Sequence, residues 1–265
     1  MVLDTSKMVI RLPVAKKEKG LAIIRKHKQK ASLSLPELQE VTGFLNFTTL
    51  VVPLGRAFLR RLYNLQLLFP PGHLARRWIS AEAQKDLLWW SNLLGRDSAI
   101  ERLFMPVVRR GITMWTDASG LKGLGGYYRD QEEAQTGRRG IPPSRAFMLA
   151  LPRHIQRKHE HINSKEMRAV KQGLLRWGAR WKGSRVTLNI DNKAVVHGIE
   201  NRTIRGGTMA VLRRCLLLAS VNDLELNPRW IPTENNELAD VFCAISEFPP
   251  LVNIRYWRAP LRNIH

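Results

Sequence analysis

Four carboxylates, Asp117, Glu166, Asp191 and Asp240, carry the strongest chemical signal in the sequence. Asp117 lies in Trp115-Thr116-Asp117-Ala118-Ser119 and Glu166 follows Asn163-Ser164-Lys165. Asp191 lies in Asn189-Ile190-Asp191-Asn192, and Asp240 ends Asn236-Glu237-Leu238-Ala239-Asp240. Hydrolysing a phosphodiester requires an activated water and a stabilised leaving oxygen, and two Mg2+ ions about 3.5–4 Å apart supply both. Hard divalent cations take oxygen ligands, so a pair of them calls for several carboxylates together. Without cations such a cluster is unstable, because like charges raise one another's pKa. Singly, each residue has a plainer reading. Asp117 suits a turn, Glu166 suits the N3 position of a capping box opened by Asn163, Asp191-Asn192 suits a strand end and helix cap, and Asp240 suits a solvated helix face.

The elements that would position them set the joint reading apart. Residues 111–119 alternate and end in a turn, as a strand does. Strands are also expected over Gly123–Arg129, Arg145–Leu151, Arg185–Asp191 and Asp223–Ile231, with a loop over 130–144. Helices are expected over Asn163–Trp181, 207–221 and Asn235–Ser246. Three meander strands followed by αβ units imply an α/β fold, a mixed sheet with helices on its faces. Asp117 and Asp191 then close the first and fourth strands, which meet at a topological switch point where ligands collect.

Residues 1–105 read as mainly helical after a short strand-like start. Val14–Lys30 is a basic helix candidate. Ser34-Leu-Pro-Glu37 has the capping-box pattern, with Ser34 as N-cap. Ser80 opens a further helix that Gly95 ends, with Leu87, Trp90 and Leu94 on one face. Trp89 and Trp90 are read as core rather than as base-stacking groups. No internal repeat or low-complexity tract is evident.

The chain carries 43 Lys and Arg against 22 Asp and Glu, a net charge of +21. The excess is spread along its length: 19 basic against 8 acidic residues in 1–110, and 24 against 14 in 111–265. A protein so basic along its whole length is expected to face a polyanion such as nucleic acid. The two cysteines, Cys215 and Cys243, fit neither a metal spacing nor a disulfide framework and read as buried free thiols. The sequence has no apolar run of membrane-spanning length and no signal-peptide core near its start. An intracellular address, nucleus or cytoplasm, is therefore expected.

Together the four carboxylate motifs make residues from about 111 to 246 resemble the ribonuclease H domain of retroelement reverse transcriptases. Residues 1–105 resemble the thumb and connection segment before that domain, through Leu3-Asp4-Thr5, Gly43-Phe44-Leu45-Asn46-Phe47 and Pro53-Leu54-Gly55-Arg56-Ala57-Phe58. The pattern is closest to DIRS-like retrotransposons. The resemblance implies a ribonuclease H-like mixed five-stranded sheet over 109–246, a helical thumb/connection segment over 1–108 and a tail over 247–265. It implies that Asp117, Glu166, Asp191 and Asp240 bind two Mg2+ ions, with Mn2+ as an alternative, and catalyse hydrolysis of the RNA strand of an RNA–DNA hybrid. It also places Ser119 and Asn192 near the hybrid and has Asn236 help hold the last loop and helix at the substrate site; main-chain and small polar groups around Ser119, Gly120 and Asn192 are expected to contact the RNA strand beside the metals.

Two departures stand out. Many members of that family carry a His shortly before the last Asp, whereas no His lies between His197 and His265 here. There is no Tyr-x-Asp-Asp motif, so polymerisation by this chain is not expected. Phosphate contacts would come from Arg56, Arg60, Arg61, Arg138, Arg139, Arg205, Arg213, Arg214 and the lysines between Lys16 and Lys30. The alternatives are a non-catalytic nucleic-acid-binding remnant of a retroelement, and a DNA nuclease or integrase on a related sheet.

Overall fold

A computed structural model describes residues 1–70, 75–96, 100–103, 108–120, 123–130, 140–151 and 160–244. The chain divides into two compact units, Met1–Val107 and Val108–His265.

In the first unit, strands β1 (Val2–Asp4) and β2 (Val9–Arg11) precede helix α1 (Val14–Lys28). Strand β3 (Ser32–Ser34) runs into helix α2 (Leu35–Thr48), and helix α3 (Arg60–Gln66), strand β4 (Arg76–Trp78), helix α4 (Ala81–Leu94) and strand β5 (Glu101–Leu103) follow. The Ser34 hydroxyl accepts from the Glu37 amide while the Glu37 carboxylate accepts from the Ser34 amide, the reciprocal pair that the sequence pattern predicts. Ser80 caps α4 with its hydroxyl alone, which accepts from the Ala83 amide. Apolar faces of the helices meet around Ile24, Leu38, Leu45, Leu62, Leu87, Trp90 and Leu94, all buried. Trp89 stacks on Phe58 with ring centroids 4.0 Å apart, so both tryptophans serve packing. The unit is mainly helical, as expected, and adds short strands: β1, β2 and β5 form an antiparallel sheet, and β3 pairs with β4. Each strand has three residues, too few for a period-two pattern to register.

The second unit is built on a five-stranded sheet. Strands β6 (Gly111–Ala118), β7 (Gly123–Asp130) and β8 (Ala146–Ala150) form an antiparallel meander. Helix α5 (Ile162–Trp177) crosses to strand β9 (Arg185–Ile190), which pairs parallel with β6. Helices α6 (Lys193–Glu200) and α7 (Thr208–Val221) lead to strand β10 (Glu225–Trp230), parallel to β9, and helix α8 (Glu237–Ala244) follows. The sheet order is β10-β9-β6-β7-β8. Pro228 sits in the edge strand β10, where its missing N–H costs no ladder bond on a solvent side.

Alternation in β6 divides the core. Met114 lies against α5 at Gly173, whereas Trp115, Tyr127, Ala239 and Phe242 pack together under α8. Helices thus cover both faces. This is the ribonuclease H-like mixed sheet that the sequence motifs imply.

Candidate metal centre

The register of the central strands brings the first two carboxylates together. β6 and β9 are parallel, so their carboxyl ends open on one edge of the sheet. The parallel register ends with Trp115 level with Asn189, and Asp117 and Asp191 each lie two residues beyond, with ligand atoms within 4.8 Å of each other. Glu166 arrives from α5. That helix starts at Ile162 with His161 as its N-cap, the imidazole accepting from the Asn163 amide at 3.2 Å. Asn163 is therefore inside the helix and Glu166 caps nothing; its side chain is buried at 4% exposure.

Asp240 is delivered by α8, and glycine decides how close that helix comes. Gly125 is the β7 partner of Asp117. A Cβ there would lie 2.4 Å from the Cys243 amide nitrogen and 2.5 Å from the Ala239 carbonyl. The backbone of α8 therefore rests directly on the strand beside Asp117. Asn236 locks the approach: its Nδ2 donates to the Thr116 carbonyl at 3.1 Å, and its own carbonyl accepts the amides of Ala239 and Asp240.

The result is two overlapping groups. Ligand atoms of Asp117, Glu166 and Asp191 lie within 4.8 Å of one another, and so do those of Asp117, Asp240 and Cys243. Asp117 is common to both. Among the described residues no Lys or Arg forms an ion pair with any of the four carboxylates, although the chain has 43 such cations. Burial, then the charges of Asp117 and Asp191, push the Glu166 carboxyl up to about 9. Burial also raises Asp117, helped by Asp191 and Asp240 and opposed by a hydrogen bond from Cys243. Glu166 Oε2 is buried without a hydrogen-bond partner. An oxygen-rich cluster with mutual repulsion, an orphaned carboxylate oxygen and no neighbouring protein cation fits divalent metal ions.

The other residues singled out from sequence fall around this cluster in different roles. The Ser119 amide donates to Gly123, closing the turn after β6, and exposed Gly120 offers its carbonyl to the Lys165 ammonium. Asn192 is the N-cap of α6: its Oδ1 accepts from Val195 at 3.2 Å and its Nδ2 donates to Asn163 at 3.0 Å. Asn236 is 1% exposed, so it holds the loop and does not reach outward. Thr233 donates to Asp191 Oδ2 at 3.2 Å and the Trp230 indole donates to the Asp191 carbonyl at 3.0 Å. Lys193 lies over the Trp230 ring at 4.5 Å.

The basic residues sort by exposure. Arg56, Arg60, Arg205, Arg214, Lys16 and Lys19 are exposed. Arg61 is committed to Asp86, Lys26 to Glu40, Lys30 to Glu37, and Arg213 is buried. Arg138, Arg139 and the 247–265 tail lie outside the described residues.

Sequence reasoning missed Cys243 as a member of the cluster. Its sulfur donates to Asp117 Oδ2 at 2.7 Å. The signal was available, since a residue three after Asp240 shares its helix face. Lys165, Trp230 and Thr233 were missed because their contacts cross between elements.

No protein-family model and no curated protein matches the sequence. Among solved structures, the N-terminal RNase H domain of a Mycobacterium tuberculosis protein, solved as a fusion with maltose-binding protein, aligns at 18% identity. The alignment covers 50% of this chain and 95% of that one, with a TM-score of 0.39. RNase H1 of Halobacterium salinarum aligns at 16% identity over 51% of this chain and 96% of its own, TM-score 0.39. The foamy viral protease-reverse transcriptase in complex with RNA/DNA hybrid aligns at 10% identity over 89% of this chain and 50% of that chain, TM-score 0.39. No helix among the described residues is long and apolar enough to cross a membrane.

Proposed function

We propose that the second unit is a metal-dependent endonuclease that hydrolyses the RNA strand of RNA–DNA hybrids. The observation that carries this reading is the convergence of Asp117, Glu166, Asp191 and Asp240 in two groups sharing Asp117, with no ion pair to a Lys or Arg among the described residues. Asp117, Glu166 and Asp191 would hold one divalent ion and Asp117 with Asp240 a second, Mg2+ being the expected species. Bound ions would polarise the phosphoryl oxygen and lower the pKa of an attacking water.

The chain's own residues do the positioning. Thr233 and the Trp230 indole fix Asp191 from its side chain and its carbonyl. Asn236 ties the start of α8 to β6, so Asp240 moves with Asp117. Lys165 pins the Gly120 carbonyl and shapes the exposed turn after Asp117. That turn, with Ser119 and Gly120, is where small groups can approach the 2′-hydroxyls that mark the RNA strand in the wide minor groove of a hybrid. Exposed Arg205 and Arg214 in this unit suit phosphate contacts without sequence reading.

The retroelement origin, closest to the DIRS-like group, rests on the motifs of both units and belongs to the same proposal. The test is cleavage of an end-labelled hybrid in Mg2+ by the full chain and by Asp191→Asn. Cleavage by wild type that Asp191→Asn loses supports the reading. Hybrid binding without cleavage by either would leave a nucleic-acid-binding remnant in its place. Cutting of duplex DNA in preference to hybrid would move the chain to the integrase-like class.

A further inference from the structure

The second group around Asp117 contains a sulfur. Cys243 Sγ lies 2.7 Å from Asp117 Oδ2, 3.1 Å from the Asp240 carbonyl and 3.8 Å from Asp240 Oδ1. A buried free cysteine usually acts as a small apolar side chain. Cys215 in α7 is such a case: it is fully buried, faces the Met167 carbonyl at 3.7 Å, and belongs to neither ligand group. Cys243 is buried as deeply, at 1% exposure, yet its sulfur points at two carboxylates. The backbone of α8 at Cys243 rests directly on Gly125, the strand partner of Asp117. On the far side of Asp117, the Glu166 carboxylate oxygen is buried without a partner and belongs to the all-oxygen group.

We propose that the half-site of Asp117 and Asp240, which the proposed function gives to Mg2+, also takes a thiophilic divalent cation of the zinc and cadmium class in its place, with Cys243 as a third, thiolate ligand. Asp117, Glu166 and Asp191 offer oxygen alone and suit a hard cation. Thiolate selects zinc-class ions, whereas carboxylate suits magnesium and manganese. The centre is therefore asymmetric, a hard half and a soft half sharing Asp117. When the cation enters, the thiol proton now donated to Asp117 leaves to solvent and the sulfur takes up the metal bond. The inference rests on the metal-binding part of the proposed function and not on cleavage.

The test titrates the full chain with Cd2+ alone and follows the ultraviolet thiolate-to-cadmium charge-transfer band. A stoichiometric band is expected in wild type and in Cys215→Ser, and none in Cys243→Ser. Loss of an outer partner of a metal ligand typically costs about 10–100-fold in affinity, so Zn2+ affinity in Cys243→Ser should fall by at least ~100-fold. Mn2+ binding to Cys243→Ser, followed by calorimetry, should persist and reports that the oxygen half-site is folded. A band that survives in Cys243→Ser overturns the inference. So does a wild type that binds Mn2+ but shows no band, and in that case the metal-centre reading stands. If neither Cd2+ nor Mn2+ binds wild type, both fall together.

Discussion

Glu37 in the first unit and Glu166 in the second are acids in opposite surroundings. Glu37 accepts from Lys30 at 2.6 Å and from the Ser34 amide at 2.8 Å, and Arg76 lies 3.0 Å away. Those partners hold it down at about 2. Among the described residues Glu166 has no ion-pair partner, and burial with Asp117 and Asp191 lifts it to about 9. The same unit pairs other acids normally: Asp130 with Arg110 and Arg145, Asp223 with Arg109, Glu160 with Arg168. A chain with a net charge of +21 thus leaves its most crowded acids without an ion pair among the described residues. The difference separates two uses of a carboxylate. In the first unit the charge is satisfied within the protein and holds secondary structure. At the sheet edge it is kept in reserve for a ligand cation.

The largest expected effect comes from the residue common to both ligand groups. Asp117→Asn should reduce Mg2+-dependent hybrid cleavage by at least ~100-fold, beyond what loss of an outer partner costs. The same variant should melt higher than wild type when both are free of metal, because one repelling charge is gone. Differential scanning calorimetry in chelator reads the second effect. A lower melting point would mean that the cluster is internally satisfied, and the contrast with Glu37 would collapse.

Next in size is Gly125→Ala. The added Cβ meets backbone of α8, which cannot rotate away as a side chain would. Overpacking of this kind costs about 1–3 kcal/mol. Displacing α8 should also separate Asp240 and Cys243 from Asp117, so cleavage and Cd2+ binding fall together. A variant of wild-type stability and activity would show that α8 does not need that close approach.

The pH response should have opposite signs at the two sites. Glu166 is raised from 4.5 to about 9, so its contribution to metal-free stability is complete below about 4.5 and is lost as pH climbs toward about 9. Glu37 is lowered from 4.5 to about 2, so its contribution is present above about 4.5 and is lost as pH falls toward about 2. Unfolding in chelator across this range should therefore show the second unit weakening as pH rises from about 4.5 to about 9, and Mg2+ should remove that weakening. A metal-free unit whose stability is flat above neutrality would contradict the charge reserve.

Much of this was legible before any coordinates. The order of elements, the strand ends at Asp117 and Asp191, and the Ser34 capping box follow from periodicity and local chemistry. What stayed hidden depended on contacts between elements. The three-residue strands of the first unit carry no period of their own, and only their partners define them. The resemblance places Asn192 near a hybrid, but its bonds to Val195 and Asn163, which cap α6 and tie it to α5, are visible only in the structure. Cys243 looked like an ordinary buried thiol because its apolar helix neighbours say nothing about the strand end beneath it. Arg61 read as a free cation because Asp86, its partner, lies in another helix.

The smallest effect tests the first unit. Glu37→Gln keeps the side-chain length and an oxygen able to accept from the Ser34 amide, so the capping box survives in form. It removes the charge that faces Lys30 and Arg76, both partly exposed. Exposed pairs contribute little, and a charged bond is about twice as strong as a neutral one, so the loss should be about 0.5–1 kcal/mol. The sign is the informative part. Neutralising Glu37 should destabilise the protein, and neutralising Asp117 should stabilise the metal-free protein. The same chemical change, carboxylate to amide, then has opposite consequences at two positions, because Glu37 has Lys30 and Arg76 beside it and Asp117 has no ion-pair partner among the described residues.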